Sequence, residues 1–335
     1  MAKRPTRAKT SSKKPATKAK AKPPKTTKKM KKTTKKTQAA GNASSAPKRS
    51  AVAMSLHIGL NSVDPGHYDG WSGPLGACEA DVVSMTALAK SRNMSATRLV
   101  TNQATRDAVL KGIRAASSSL RTGDFFFLTF SGHGGQVEDV SGEEPDKLDE
   151  TWCLFDGQLI DDELFLELSK FGKGVRVLVV SDSCHSGTVT RALRPTPPPP
   201  GARMMPANIA RQVYLKHKDQ YDGIQRAVAK SAGGESPDAA LARVPVSQRL
   251  TKIAGRCSAS VILISGCQDN QLSMDGVANG AFTEKLLTVW NNGAFNGNYT
   301  RFHGAILANM PASQSPNLFQ LGPAAGFAEQ PVFSI

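Results

Sequence analysis

The sequence predicts an α/β fold, a mostly parallel sheet flanked by helices, preceded by a disordered basic N-terminal tail. Three observations lead there. The runs Phe125 to Phe130 and Val175 to Val180 are strongly apolar, as expected of central strands covered on both faces. Segments with apolar residues at helical spacing recur around them, which gives a βαβ series. Residues 1–50, by contrast, are Lys, Thr, Ala, Pro and Ser with almost no apolar side chain, so they cannot bury enough surface to offset the entropy of ordering.

In chain order, Ala51 to Leu60 reads as a strand, and Gly76 to Lys90 as a helix whose stripe is Cys78, Val82, Met85 and Ala89. Arg98 to Thr101 follows as a short strand and Ala104 to Leu120 as a second helix. Asp162 to Phe171 is a helix between the two apolar strands. Residues 191–256 break the series with the Pro195 to Pro200 tract and a polar, Lys- and Arg-rich stretch, and they read as an exposed linker with a weak helical pattern from Ile209 to Val228. Structure resumes with a strand at Ala259 to Ser265, helices at Gly280 to Asn291 and Tyr299 to Met310, and a last strand near Pro331 to Ile335. The expected organisation is a tail at 1–50, a larger part at 51–190, the linker at 191–256 and a smaller part at 257–335.

Charge divides the chain in the same way. Of its 43 Lys and Arg, 18 lie in residues 1–50 with no acidic residue among them, so 25 face 27 Asp and Glu in the rest. A tail of this kind can neutralise phosphates without reading sequence, which makes non-specific nucleic acid a candidate partner of residues 1–50 beside the plainer role of solubilising the chain. Five cysteines without CxxC spacing point to a reducing compartment. No stretch approaches the ~20 apolar residues of a membrane span, and the N-terminus lacks the apolar segment of a signal peptide. The expected location is cytoplasmic, with nucleoid or chromatin association through the tail as an extension of that reading.

The chemistry concentrates just past the two apolar strands. Ser131-Gly-His133-Gly follows the first, and Ser-Asp-Ser-Cys184-His-Ser-Gly follows the second. Parallel strands deliver functional side chains at their carboxyl ends, so adjacent strands of this kind would bring His133 and Cys184 to one sheet edge. A thiol needs an imidazole or a positive field to become a nucleophile, and the oxyanion it creates needs backbone N–H donors. The N–H groups of Gly134 and Cys184 are candidates for that hole. Either segment alone could be a packing cysteine or a glycine-rich turn. A zinc site from His133, Cys184 and His185 would lack a fourth ligand.

These two segments, together with Ser265-Gly-Cys-Gln-Asp269-Asn-Gln-Leu-Ser-Met-Asp275, resemble the metacaspases and their bacterial relatives, the caspase-like cysteine peptidases. The resemblance covers about residues 51–335 and leaves out the tail. It implies a caspase-like fold, with His133 as base and acid and Cys184 as the nucleophile that forms an acyl-enzyme. It also implies cleavage of protein or peptide substrates after Arg or Lys. The matching pocket positions are Cys78 and Asp81, Ser131 and Asp182, and carboxylates there would pair with a guanidinium and disfavour an acidic side chain. Asp269 and Asp275 are left out of the functional set as turn chemistry.

Many metacaspases need calcium. Asp149, Asp161 and Asp162 match three of the family's aspartates, but the fourth position holds Arg191, whose charge would repel the ion. No cofactor is therefore expected, and Arg191 would pair with Asp161 or Asp162 in the ion's stead. Family members also cut themselves between their two parts, where this chain offers Arg203, Arg211, Lys216, Lys218, Arg226 and Lys230. The rival reading is a DNA-associated interaction protein whose tail carries the function and whose peptidase body is inactive.

Overall fold

A computed structural model of the protein describes residues 49–140, 147–184, 198–231, 257–267, 271–276 and 278–335. The expected tail, Arg191, His185 and Asp269 lie outside the described residues. The body, Arg49–Ile335, is one unit.

Its centre is a six-stranded sheet in the order β2-β1-β3-β7-β8-β9. The strands are β1 (Ala53–Gly59), β2 (Ser95–Val100), β3 (Phe125–Ser131), β7 (Arg176–Asp182), β8 (Ser260–Ser265) and β9 (Asn317–Leu321). All neighbours run parallel except β9, which is antiparallel to β8. A second, antiparallel sheet joins β4 (Gly134–Glu138), β5 (Leu148–Leu154) and β6 (Gly157–Ile160).

The reason β3 and β7 read as unbroken apolar runs is visible in the packing. Phe126, Leu128 and Phe130 of β3, with Val177 and Val179 of β7, join a core on one face. Phe125, Phe127, Leu178 and Val180 join a separate core on the other. The first face is covered by α2 (Arg106–Ser119) and α3 (Asp161–Ser169), and the second by α1 (Cys78–Ser91), α6 (Ala281–Trp290) and α7 (Tyr299–Asn309). A strand buried on both faces has no polar alternation to show.

Two expectations are corrected. Residues 198–231 are not an exposed linker: α4 (Ala207–Lys216) and α5 (Lys218–Ser231) pack Ala210, Val213, Tyr214 and Tyr221 into the first core. The polar, Lys- and Arg-rich composition belongs to the outward faces of these amphipathic helices, and their inward stripes are short. The final strand is not at Pro331 to Ile335 but at β9, and Phe333 instead buries its ring in the second core. The larger and smaller parts share one sheet, because β8 pairs directly with β7.

Candidate active site

Register decides the site. Ser131 lies opposite Gly59 on one side and opposite Asp182 on the other, so three parallel strands end level with one another. Two residues further, each chain delivers its chemistry: His133 after β3 and Cys184 after β7, both buried.

His133 is fixed by its surroundings. Its Nε2 lies 3.0 Å from the carbonyl oxygen of Gly73, and the Trp71 ring packs against it with centroids 4.8 Å apart. A carbonyl can only accept, so Nε2 carries the proton and Nδ1 is the basic nitrogen. Nδ1 is buried and makes no hydrogen bond. Burial, opposed in part by the Gly73 carbonyl, pushes the imidazole down to about 4, which leaves it neutral at ordinary pH.

The Cys184 thiol is held protonated. Burial raises it well above the usual thiol range, and the neighbouring Cys267 adds to the effect. Its Sγ lies 2.7 Å from the Ser273 N–H and 3.3 Å from the Ser273 carbonyl oxygen. The two groups are therefore a thiol and a neutral imidazole.

The site is already filled by the chain itself. The carbonyl oxygen of Arg203 accepts from the Gly134 N–H at 3.0 Å and the Cys184 N–H at 3.1 Å, the two donors expected to form an oxyanion hole. Gly134 has to be glycine, because a Cβ there would sit 1.6 Å from the Cys184 carbonyl oxygen. The segment around Arg203 runs as an added strand: the Arg203 N–H donates to Ser273 O at 2.9 Å, and Asp275 N–H donates to Gly201 O at 2.7 Å.

The Arg203 side chain is fully buried in a pocket of carboxylates. Nη2 reaches Asp81 Oδ2 at 2.8 Å and Asp275 Oδ1 at 2.9 Å. Nη1 donates to Ser131 Oγ at 2.8 Å and lies 3.0 Å from Asp182 Oδ2. Each carboxylate is itself fixed. Asp81 Oδ1 accepts from Asn279 and the Gly280 N–H, Asp182 from Ser273 and Thr283, and Asp275 from the Gly76 and Ala77 N–H groups. Gly280 forms the pocket wall, where any Cβ would lie 2.5 Å from the guanidinium.

Electrostatics follow from three carboxylates facing one cation. Burial pushes Asp81 up despite Arg203, with Asp182 adding repulsion. Asp275, against the upward pull of burial, is held low by the Gly76 N–H and the Arg203 guanidinium. Burial alone would lower Arg203, but Asp182, Cys78 and Asp81 hold it well above its ordinary value. A neutral or acidic side chain in this pocket would leave buried anions unpaired.

The structure thus brings together His133, Gly134, Cys184, Asp81, Ser131 and Asp182. Cys78 is buried close by at the start of α1. Sequence reasoning missed Asp275, set aside as turn chemistry, and Ser273 and Gly280, which carry no composition signal of their own. Asp149 and Asp161 lie apart from this cluster, on β5 and at the start of α3. Burial pushes the Asp161 carboxyl up, and Asp162, Glu150 and Asp149 push it further. Among the described residues, no three His, Cys, Asp or Glu side chains form a cluster that could hold a metal ion.

Residues 63–334 match the family model of the caspase domain. The chain belongs to this family of cysteine peptidases. It is similar to metacaspase-1 of Saccharomyces cerevisiae, 31% identical over 201 residues that are 53% of this chain and 43% of that protein. It is also similar to metacaspase-1 of Schizosaccharomyces pombe, 30% identical over 261 residues, 69% of this chain and 57% of that protein. The chain spans about half the length of these curated relatives. A crystal structure of a Geobacter sulfurreducens protein superposes with a TM-score of 0.71 at 46% identity, covering 85% of this chain and 99% of the other. The family match gives the body its caspase-like fold, and the solved structure shares that architecture; among the described residues no helix is long and apolar enough to cross a membrane.

Proposed function

We propose that this caspase-family protein is a cysteine endopeptidase that cleaves after Arg or Lys through His133 and Cys184. The observation that carries the reading is Arg203, whose carbonyl oxygen meets the Gly134 and Cys184 N–H groups while its guanidinium meets Asp81, Asp182 and Asp275.

In this mechanism the Cys184 thiol gives its proton to His133 Nδ1 as sulfur attacks the carbonyl carbon. The oxyanion gathers the two N–H donors. His133 then protonates the departing amine, leaving a thioester that water hydrolyses with His133 again as base. The carboxylates do no chemistry. They select a cation, and the bidentate guanidinium suits two of them at once. The reading makes no use of calcium, in keeping with Arg191 at the family's fourth aspartate position.

The test is hydrolysis of matched fluorogenic peptides ending in Arg, Lys or Asp, beside a Cys184→Ala control. Cleavage after Arg and Lys that vanishes in the control supports the reading, and cleavage after Asp overturns the pocket assignment.

A further inference from the structure

Ser273 touches the site at three points. Its N–H lies 2.7 Å from Cys184 Sγ, its carbonyl oxygen accepts from the Arg203 N–H at 2.9 Å, and its Oγ donates to Asp182 Oδ1 at 2.6 Å. One residue thus faces the sulfur, the seated strand and the acidic pocket. Yet Ser273 belongs to no helix or strand of the body, and the strand that pairs with it is the Arg203 segment itself. Something else has to fix it when another chain takes that place.

The hold comes from behind, from Gln314 in the turn between α7 and β9. The Gln314 side chain is buried, and its Nε2 lies 2.9 Å from the Gly266 carbonyl oxygen and 3.0 Å from Ser273 Oγ. Proton counting gives the sense of both contacts. A carbonyl can only accept, and the Ser273 hydroxyl gives its one proton to the Asp182 carboxylate, so the Gln314 amide donates twice. The bonds therefore run one way, from Gln314 through Ser273 to Asp182. Gly266, just past β8, is itself anchored to β7 by its N–H, which donates to Ser181 O at 2.8 Å. Gln314 in this way ties Ser273 to the end of the central sheet. The next residue repeats the link: the Ser315 N–H donates to Gln271 Oε1, and Gln271 Nε2 donates to Ser315 Oγ at 3.2 Å. The other end of the amide gains nothing, because Gln314 Oε1 is buried without a hydrogen-bond partner. A buried acceptor left unpaired is destabilising, so what this side chain contributes lies in its two donors.

We propose that Gln314 is a positioning residue for the peptidase reaction, holding Ser273 so that its N–H stays aimed at Cys184 Sγ and its carbonyl stays aligned for the substrate strand. This rests on the endopeptidase reading above. As the thiol proton passes to His133 the sulfur becomes an anion, and the hydrogen bond from the Ser273 N–H strengthens because its acceptor is then charged. The same N–H draws the thiol down against the upward push of burial and Cys267. Asp81, Asp182 and Asp275 each keep other ties, to the Gly280, Thr283 and Gly76 N–H groups. Loss of Gln314 therefore acts on the chemical step more than on capture of the substrate's guanidinium.

The experiment uses the full chain with its Gln314→Met and Gln314→Glu variants, each shown to be folded by thermal unfolding. Steady-state cleavage of an Arg peptide is measured beside the pH dependence of Cys184 alkylation by iodoacetamide, followed by mass spectrometry of the peptide that contains Cys184. Methionine keeps the length of the side chain and removes both donors. Its kcat falls roughly tenfold with KM within about twofold of the parent, and its alkylation profile moves up by about one pH unit, the size expected for a weakened hydrogen bond to a charged acceptor. Glutamate keeps the shape but can donate only when protonated, and burial beside Asp182 raises its carboxyl, so its rate relative to the parent climbs between about pH 8 and about pH 6. A folded methionine variant with the parent's alkylation profile overturns the proposal whatever its kcat, and so does a glutamate variant whose relative rate is flat with pH. Alkylation needs no substrate, so it judges Gln314 separately: a shifted profile in a protein whose parent cleaves no Arg peptide defeats the endopeptidase reading and leaves the hold on Ser273 supported.

Discussion

Replacing Arg203 by methionine in the Cys184→Ala background isolates the electrostatic role of the seated side chain, because no cleavage can occur. The change keeps an unbranched side chain of similar length but removes the cation that Asp81, Asp182 and Asp275 share. Breaking a buried ion pair by deleting one partner costs about 3–5 kcal/mol. For a body of this size that lowers the thermal midpoint by roughly 10 °C. The pH dependence distinguishes charge from packing. Without the guanidinium, buried carboxylates ionise at higher pH in the folded than in the unfolded chain, so the folded state holds protons that unfolding releases. The deficit is therefore greatest above the raised folded value and shrinks as pH falls toward the ordinary carboxylate range, near 4. Thermal unfolding followed by circular dichroism at about pH 7.5 and pH 5 should show the gap between parent and variant closing on acidification. An Arg203→Lys companion keeps the charge, loses the fork, and should sit between them at both pH values. A gap that is the same at both pH values, or none at neutral pH, refutes the argument that the pocket needs a cation.

Gly280→Ala places a methyl 2.5 Å from the guanidinium site, so cleavage of Arg peptides should fall at least about tenfold while Lys peptides, with a narrower head group, lose less; an unchanged Arg-to-Lys ratio in steady-state kinetics contradicts the assigned wall. His57 is held down to about 3 by burial, with the Arg98 charge adding to the effect, so its folded form resists a proton that the unfolded chain accepts from about pH 6.5 downward. Its contribution is fully present above pH 6.5 and is lost as pH falls toward 3, which amounts to about 2 kcal/mol between pH 7 and pH 5. Urea unfolding of the Cys184→Ala protein should show this loss, and His57→Gln should show less of it. Addition of a calcium chelator should leave cleavage of Arg peptides unchanged if Arg191 stands, as the resemblance implies, where a fourth calcium aspartate would be; full loss restored by calcium would reverse that expectation. Removal of residues 1–50 should abolish salt-sensitive retention on DNA without altering peptide hydrolysis, and retention by the shortened chain would place nucleic-acid contact elsewhere.

The central sheet was legible because its strands satisfy a simple rule: residues buried on both faces must be apolar on both, as at Phe125 to Phe130, and little else in a sequence looks like that. The candidate site follows from the same sheet, since a level register at Ser131 and Asp182 brings two separate segments together at the strand ends. Residues 198–231 were misread because composition averages over a helix. Lys216, Lys218, Arg226 and Lys230 dominate the count, while the docking stripe is only a few residues such as Val213, Tyr214 and Tyr221. Asp275 was passed over because a loop of Asp, Asn, Gln and Ser has many uses. Its role arises from the fold, which lays residues 273–275 beside Arg203 as an added strand. The antiparallel sheet of β4, β5 and β6 is not legible from sequence because the Ser-Gly-His133-Gly134 run at its start reads as glycine-rich punctuation.

The charge state of His133 and Cys184 bears on why Arg203 can stay seated between them and the carboxylates. A thiolate beside an imidazolium would be poised to attack whatever carbonyl lay in the hole. Here burial acts on both partners in the direction of neutrality, raising Cys184 and lowering His133. The seated segment is itself part of that burial, because Arg203 covers the site and its cation lies close enough to hold the imidazole lower. Departure of the segment would admit water to both groups and reduce the desolvation that keeps them uncharged. The bound arm and the resting chemistry therefore reinforce each other. While Arg203 is seated Cys184 stays a thiol and His133 neutral, and its departure would remove part of the burial that keeps both uncharged. Burial that orders the arm thus also sets the reactivity of the site beneath it.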